Sequence, residues 1–191
     1  NRYEITNVFS HEETGLKLTY ERDKKLKNLF NAKKIRWHEY QTNAVIRGLN
    51  NRKRWEKQWD KVMREEIKPI NLARANILFH SFPISEIPKF GDDVNHQVGG
   101  CLPGQKEMLD FFETRGQEYF KFISKPDKSR TSCSRLSPYI AYGNLSMREV
   151  YQTLLKSWNK PGWRRSMAAL SSRLHWHCHF IQKYESEIDI E

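Results

Sequence analysis

Cysteine is scarce in this chain: three residues, Cys101, Cys133 and Cys178, widely spaced and with no C-x-x-C pair. That excludes a disulfide-stapled secreted scaffold and a cysteine-type zinc module, and it fits a reducing, intracellular (cytoplasmic) setting. Nine glycines and seven prolines in 191 residues leave no room for collagen-like or low-complexity classes. No apolar run comes near the roughly 20 residues that a membrane-spanning helix requires, so membrane insertion is not expected. Hydrophobic residues make up only 38% of the chain against 29% charged. A chain of this length should bury about 70% of its unfolded surface, and so modest an apolar share makes a self-sufficient globule uncomfortable. The start, Asn1-Arg2-Tyr3-Glu4, is neither an initiator methionine nor a signal peptide, and it reads as a cut.

What the chain does have is positive charge, unevenly placed. Fourteen Lys or Arg and four acidic residues (Asp23, Glu39, Glu56, Asp60) fall between Arg22 and Arg64, so that stretch carries the whole net charge of +10. Such a block attracts polyanions and speeds their encounter, or it is a solvated helix face.

The hydropathy pattern divides the chain in three. Ile5–Phe9 reads as a strand followed by a polar loop, His11 to Gly15. Tyr20, Leu26, Leu29 and Phe30 mark one face of a helix over about 20–30, and Ile35–Tyr40 alternates as a strand does. Strand, helix, strand in so short a span is a βαβ unit, hence parallel α/β. Thr42 to about Glu66 has helical spacing through Val45, Leu49, Trp55, Trp59, Val62 and Met63. From Pro69 to Pro103, four prolines and the pair Gly99-Gly100 sit in a stretch with no period, which predicts a linker. Helices follow: one from about Gly104 through Met108, Phe111 and Phe112 toward Tyr119, Phe120 and Phe122; one after the capping box Ser146-Met147-Arg148-Glu149; and one from near Trp163 to about Tyr184. Glu185 to Glu191 lacks a stop signal and reads as a cut or disordered end.

Three clusters carry chemistry. The run Thr131 to Ser137 concentrates hydroxyls and Arg135 ahead of a helix, an arrangement that either holds a phosphate or only caps the helix. His175 and His179, four apart on one helix face, are a candidate metal pair, but that face offers no third ligand; lining a polar pocket or packing between helices are the alternatives. Six tryptophans stand among basic residues, a pattern that either stacks unpaired bases or builds a core. Trp55 and Trp59 suit a core, and Trp176 suits a ligand face.

These pieces together resemble a known family. Ser134-Arg135-Leu136-Ser137-Pro138-Tyr139-Ile140-Ala141-Tyr142-Gly143-Asn144-Leu145-Ser146, with Arg148-Glu149-Val150 after it, is similar to the signature of the photolyase/cryptochrome flavoproteins. Gly99-Gly100 ahead of Leu109 and Phe112 resembles the entry to that family's helical domain. Tyr119, seven residues before Pro126, resembles its Y-x-x-x-R-D-x-P segment. Leu174-His175-Trp176-His177-Cys178-His179-Phe180 resembles its L-x-W-R-E-F helix. His11 to Gly15 with Tyr20-Glu21-Arg22-Asp23 resembles the last βαβ unit of its antenna domain. The resemblance runs in order over nearly the whole chain. It implies an α/β plus all-α, mostly helical fragment: residues 1–66 as the end of a parallel α/β antenna domain, 67–104 as a long interdomain linker, and 105–191 as the first half of a helical FAD-binding domain.

By the same resemblance, FAD is the cofactor, with contacts at Tyr119, Thr131, Ser132, Ser134, Leu136 and Ser137. Two extra residues between Pro126 and the Arg-Leu-Ser core leave open which hydroxyls align. Trp176 matches the tryptophan that stacks on a pyrimidine dimer. Arg173 stands where repair enzymes carry a lesion-contacting Glu, and His177 where an Arg approaches the flavin phosphates. A protonated His177 would partly replace that Arg. Arg148, Arg164 and Arg165 are candidate DNA contacts, and the family's antenna chromophore is of folate or deazaflavin type. No metal is implied. The implied activity is light-driven electron transfer from reduced FAD to a cyclobutane pyrimidine dimer in DNA, a carbon–carbon lyase reaction on a flipped-out lesion. A blue-light cryptochrome without repair activity is the first alternative, and a basic nucleic-acid-binding module without flavin is the second. A half-built helical domain would expose apolar surface, so self-association is expected.

Overall fold

A computed structural model describes residues 4–71, 73, 75–77 and 96–187. Among the described residues the chain is mostly helical, with one small two-stranded parallel sheet. Strand β1 (Asn7–His11) leads into α1 (Lys17–Ala32) and β2 (Arg36–Tyr40), and the strands pair in parallel with Asn7 opposite Arg36 and His11 opposite Tyr40. The expected βαβ unit is therefore present. Its element ends lie within three residues of those expected, within or near the usual uncertainty of element boundaries. This layer is thinly covered: Phe9, Leu18 and Leu29 are exposed, and Asp23 is the one residue of its three elements that is buried. Asp23 pairs with Arg22 and with Arg47, and Arg47 also pairs with Glu39 and donates to the Glu13 carbonyl. One guanidinium thus ties α1, β2 and the loop after β1.

Helix α2 is shorter than its spacing predicts. It spans Trp55–Arg64, and residues 42–54 form turns instead. Asn43 (φ 53°) and Gly48 (φ 71°) are left-handed, which breaks a helix at both places. Long-range bonds reward the turn. The Gln182 carboxamide accepts from Ile46 N–H at 2.7 Å and donates to the Ile46 carbonyl at 3.0 Å. The Glu185 carboxylate accepts from Gly48 N–H and Gly15 N–H, each at 2.9 Å. Trp55 Nε1 donates to the Ala44 carbonyl.

Of the predicted linker, residues 72, 74 and 78–95 lie outside the described residues. Helix α3 (Cys101–Glu113) starts three residues before the expected Gly104 and ends early, at Thr114. Pro103 is tolerated because it sits in the first turn, where its missing N–H has no intrahelical partner. Gly116 explains the break: a Cβ there would meet the Phe111 carbonyl oxygen at 2.5 Å. A 3-10 turn (Arg115–Glu118) and the single-turn α4 (Tyr119–Phe122) continue the chain in a new direction. After a second 3-10 turn (Pro126–Lys128) come two more single-turn helices, α5 (Ser129–Ser132) and α6 (Ser137–Ala141). The predicted capping box is observed at α7 (Met147–Lys156), where Ser146 Oγ accepts from Glu149 N–H at 3.0 Å. Helix α8 (Arg164–Ser186) is the longest element.

One apolar core runs from Ala44, Val45, Trp55 and Trp59 through Phe111, Tyr139, Val150 and Leu154 to Met167, Leu170, Leu174 and Cys178. It crosses the sequence boundary between the segment before the linker and the helices after it. The inner stripe of α8 is apolar at Met167, Leu170, Leu174 and Cys178, then polar and still buried at Gln182 (0% exposed) and Glu185 (7%). That stripe holds both the core and the 42–50 loop.

Candidate functional site

The hydroxyl-rich loop between α5 and α6 forms one wall of a cleft of about 730 Å³. Tyr119, Arg130, Cys133, Ser134, Ser137 and Tyr142 line it, and His96 and Gln97 close one side. That volume lies in the range of small-molecule and cofactor sites. The loop backbone has an anion-binding conformation: Arg135 is left-handed (φ 57°) and Leu136 right-handed (φ −88°, ψ −14°). Such a pair turns successive N–H groups to one side. Among the described residues, the N–H groups of Arg135, Leu136 and Ser137 have no hydrogen-bond acceptor. Free amides, Ser129, Ser134 and Ser137, and Arg130 and Arg135 at one cleft are the chemistry that binds phosphate. The residues present therefore fit the pyrophosphate of a dinucleotide such as FAD.

The predicted flavin contacts divide. Tyr119, Ser134 and Ser137 meet on this cleft. Burial pushes the Tyr119 hydroxyl up to about 12, with the nearby Arg173 charge acting in the opposite sense, so it is a neutral donor at physiological pH. Leu136 supports the loop from inside the core. Thr131 and Ser132 stand off the cleft: Thr131 is exposed and bonds back to the Lys128 carbonyl, and Ser132 is buried within the turn. Ser129, Cys133 and Ser134, on either side of the α5 turn, also line the cleft. Burial raises the Cys133 thiol pKa, partly offset by Arg115.

His177 faces elsewhere. It lines a second cleft of about 870 Å³ with Thr14, Gly15, Ile140, Ile181 and Tyr184, at the joint between the β1–α1 loop and α8. Desolvation by its neighbours lowers its pKa below the ordinary imidazole value, the direction opposite to the protonated state expected of a substitute for an arginine.

Trp176 is 47% exposed on the outer face of α8, with Arg173 over its ring at 4.9 Å and Phe180 edge-on at 6.1 Å. The Arg173 charge also opposes the rise in the Tyr119 pKa. Arg164 lies over Trp158 and Arg165 over Phe120 at 5.1 and 5.6 Å, and both line a shallow basic depression with Lys121. Arg148 is taken up by Glu65, 3.2 Å away. His175 packs between Trp55 and Trp59, with both ring centroids at 5.0 Å, and stacks on His179. Among the described residues no group of three or more His, Cys, Asp or Glu is placed to hold a metal, and no helix is long and apolar enough to cross a membrane.

Sequence reasoning missed Cys133, Arg130, Tyr142 and the three loop amides. The amides carry no side-chain signal at all. No protein-family profile matches the chain, and no curated protein matches it significantly.

Proposed function

We propose that the chain is part of a photolyase-like flavoprotein, comprising the end of an α/β antenna domain and the first half of a helical FAD-binding domain. The observation that carries this reading is the convergence of Tyr119, Ser134 and Ser137 on one cleft whose loop amides are free for a phosphate. In this reading Ser134, Ser137 and the 135–137 amides hold the FAD pyrophosphate, Arg130 and Arg135 neutralise it, and Tyr119 donates from the same cleft. Bound there, the flavin supplies light-driven one-electron chemistry, with a cyclobutane pyrimidine dimer in DNA as the acceptor. Trp176 offers a stacking surface for a base turned out of the duplex, and Arg164 and Arg165 meet backbone phosphates. The second cleft, at the joint beside Gly15 and Tyr184, suits an antenna chromophore of folate or deazaflavin type. The free thiols of Cys101, Cys133 and Cys178 suit a reducing, cytoplasmic setting.

The decisive experiment is incubation with FAD, desalting, and the visible spectrum of the eluted protein, followed by blue-light repair of a dimer-bearing oligonucleotide. Retained flavin absorbance with repair supports the enzyme. A colourless eluate sinks the flavin reading.

Two other readings each have one observation in their favour. Arg173 on the Trp176 ring, in place of a lesion-contacting carboxylate, favours a cryptochrome-type photoreceptor, which predicts retained flavin without repair. The cation–aromatic pairs at Arg164, Arg165 and Arg173 favour a nucleic-acid-binding module without flavin, which predicts salt-sensitive binding without colour.

A further inference from the structure

Arg135 is an arginine in a left-handed conformation, and such strain persists only where the surroundings over-determine it. Three groups outside the loop do so. Arg115, whose side chain is 11% exposed, donates from Nη2 to the Ser134 carbonyl at 3.1 Å and to the Glu107 carboxylate. Its Nε lies 2.7 Å from Asp110 Oδ2 in an ion pair without hydrogen-bond alignment. The same Glu107 oxygen lies 3.5 Å from Arg135 Nε. From the other side, Gln97 Nε2 donates to the Arg135 carbonyl at 2.9 Å. The carbonyls of Ser134 and Arg135 are thus drawn to different partners, Arg115 and Gln97. That fixes the peptide planes on either side of Arg135, and with them the direction of the amides that follow.

We propose that Arg115, Glu107 and Gln97 are positioning residues that clamp the Ser134–Arg135 peptide and keep the 135–137 amides turned toward the phosphates of a bound dinucleotide. Arg115 and Glu107 stand behind the loop, off the cleft lining, whereas Gln97 reaches the loop from the cleft edge. The ligand class rests on the flavin reading above, whereas the clamp itself rests on the hydrogen bonds just described.

The test uses the full chain with three single variants, Arg115→Lys, Glu107→Gln and Gln97→Ala, and two readouts. The first needs no ligand: labelling of Cys133 by N-ethylmaleimide, timed against the exposed Cys101 of the same molecule. Cys133 abuts the loop and is partly buried. A loosened clamp is expected to speed its labelling about tenfold, the equivalent of one hydrogen bond to a charged group, with unchanged circular dichroism. The second compares FAD with riboflavin, which has the same ring system and no phosphate. The clamp predicts that the variants weaken FAD binding about tenfold and leave riboflavin binding unchanged, whereas a general structural role would weaken both alike.

Wild-type Cys133 labelling in all three variants, or an equal loss of FAD and riboflavin, overturns the proposal. If the wild-type chain takes up no flavin while the variants still speed Cys133 labelling, the flavin reading falls and the clamp stands. Should Arg115→Lys fail to fold, Gln97→Ala carries the test, because it removes a single partly buried hydrogen bond to the Arg135 carbonyl; an unchanged Cys133 rate there overturns the clamp.

Discussion

Replacing Gln182 with Ala tests whether α8 holds the 42–50 loop. The wild-type carboxamide is fully buried and satisfies both the N–H and the carbonyl of Ile46. Truncation removes two hydrogen bonds of about 1 kcal/mol each. Ile46 is itself only partly buried, so water reaches the freed groups and the further desolvation penalty stays at roughly 0–1 kcal/mol. The expected loss is therefore about 2–3 kcal/mol, which in a chain of this size lowers the melting temperature by roughly 5–10 °C. Gln182→Glu sharpens the test: it keeps the acceptor for the Ile46 N–H but sets a second oxygen against the Ile46 carbonyl, and should cost at least as much. Denaturant unfolding gives the free energy. Amide hydrogen exchange at Ile46 and Gly48 gives the location, since both should exchange faster while the α7 amides do not. A loss below about 0.5 kcal/mol, within the range of a neutral surface substitution, would refute the view that this joint is held by α8.

Other expectations concern separate parts of the molecule. Ser146→Ala should cost about 1 kcal/mol in denaturant unfolding by removing the α7 cap, and Ser146→Asp should restore most of it. His175 and His177 both have lowered pKa values, each chiefly from desolvation; the unfolded chain therefore gains protons first, and stability should fall as pH drops below about 6.5. In the double variant His175→Phe/His177→Gln that acid-side loss should shrink, and an unchanged pH profile would count against the assignment. Arg164→Glu and Arg165→Glu should each weaken binding of a fluorescent single-stranded oligonucleotide and reduce the salt slope by about one for each phosphate no longer neutralised; anisotropy titrations at several salt concentrations measure this.

The parts of the fold legible in the sequence are those set by local chemistry. The β1–α1–β2 unit follows from alternation and a basic amphipathic helix, and the α7 start from a serine three residues before a glutamate. Residues 42–54 were not legible as a loop. Val45 and Leu49 have helical spacing, and what decides against a helix is Gln182 and Glu185, well over a hundred positions away, reinforced by left-handed Asn43 and Gly48. In the cleft, Tyr119, Ser134 and Ser137 were singled out only through the family resemblance, since residue type and spacing alone left phosphate binding and helix capping open. Thr131 and Ser132 have the same chemistry, but the α5 turn carries them off the cleft, and a hydroxyl count cannot register a change of backbone direction. The Arg115–Glu107–Arg135 contacts were invisible for a related reason: charged residues in a basic chain read as surface until a fold brings their partners together.

Helix α8 works as an angular gauge. Met167, Leu170, Leu174 and Cys178 lie along the core, Gln182 and Glu185 continue the same line into the loop joint, Arg173 and Trp176 look outward, and His177, Ile181 and Tyr184 look into the second cleft. Inserting one residue anywhere between Met167 and Gln182 would turn everything after it by about 100°, swinging Gln182 and Glu185 out of line with the 42–50 loop. Point substitutions on the outward side leave that alignment untouched. Changes of helix length, even by a single alanine, would be expected to uncouple the βαβ end from the helical core.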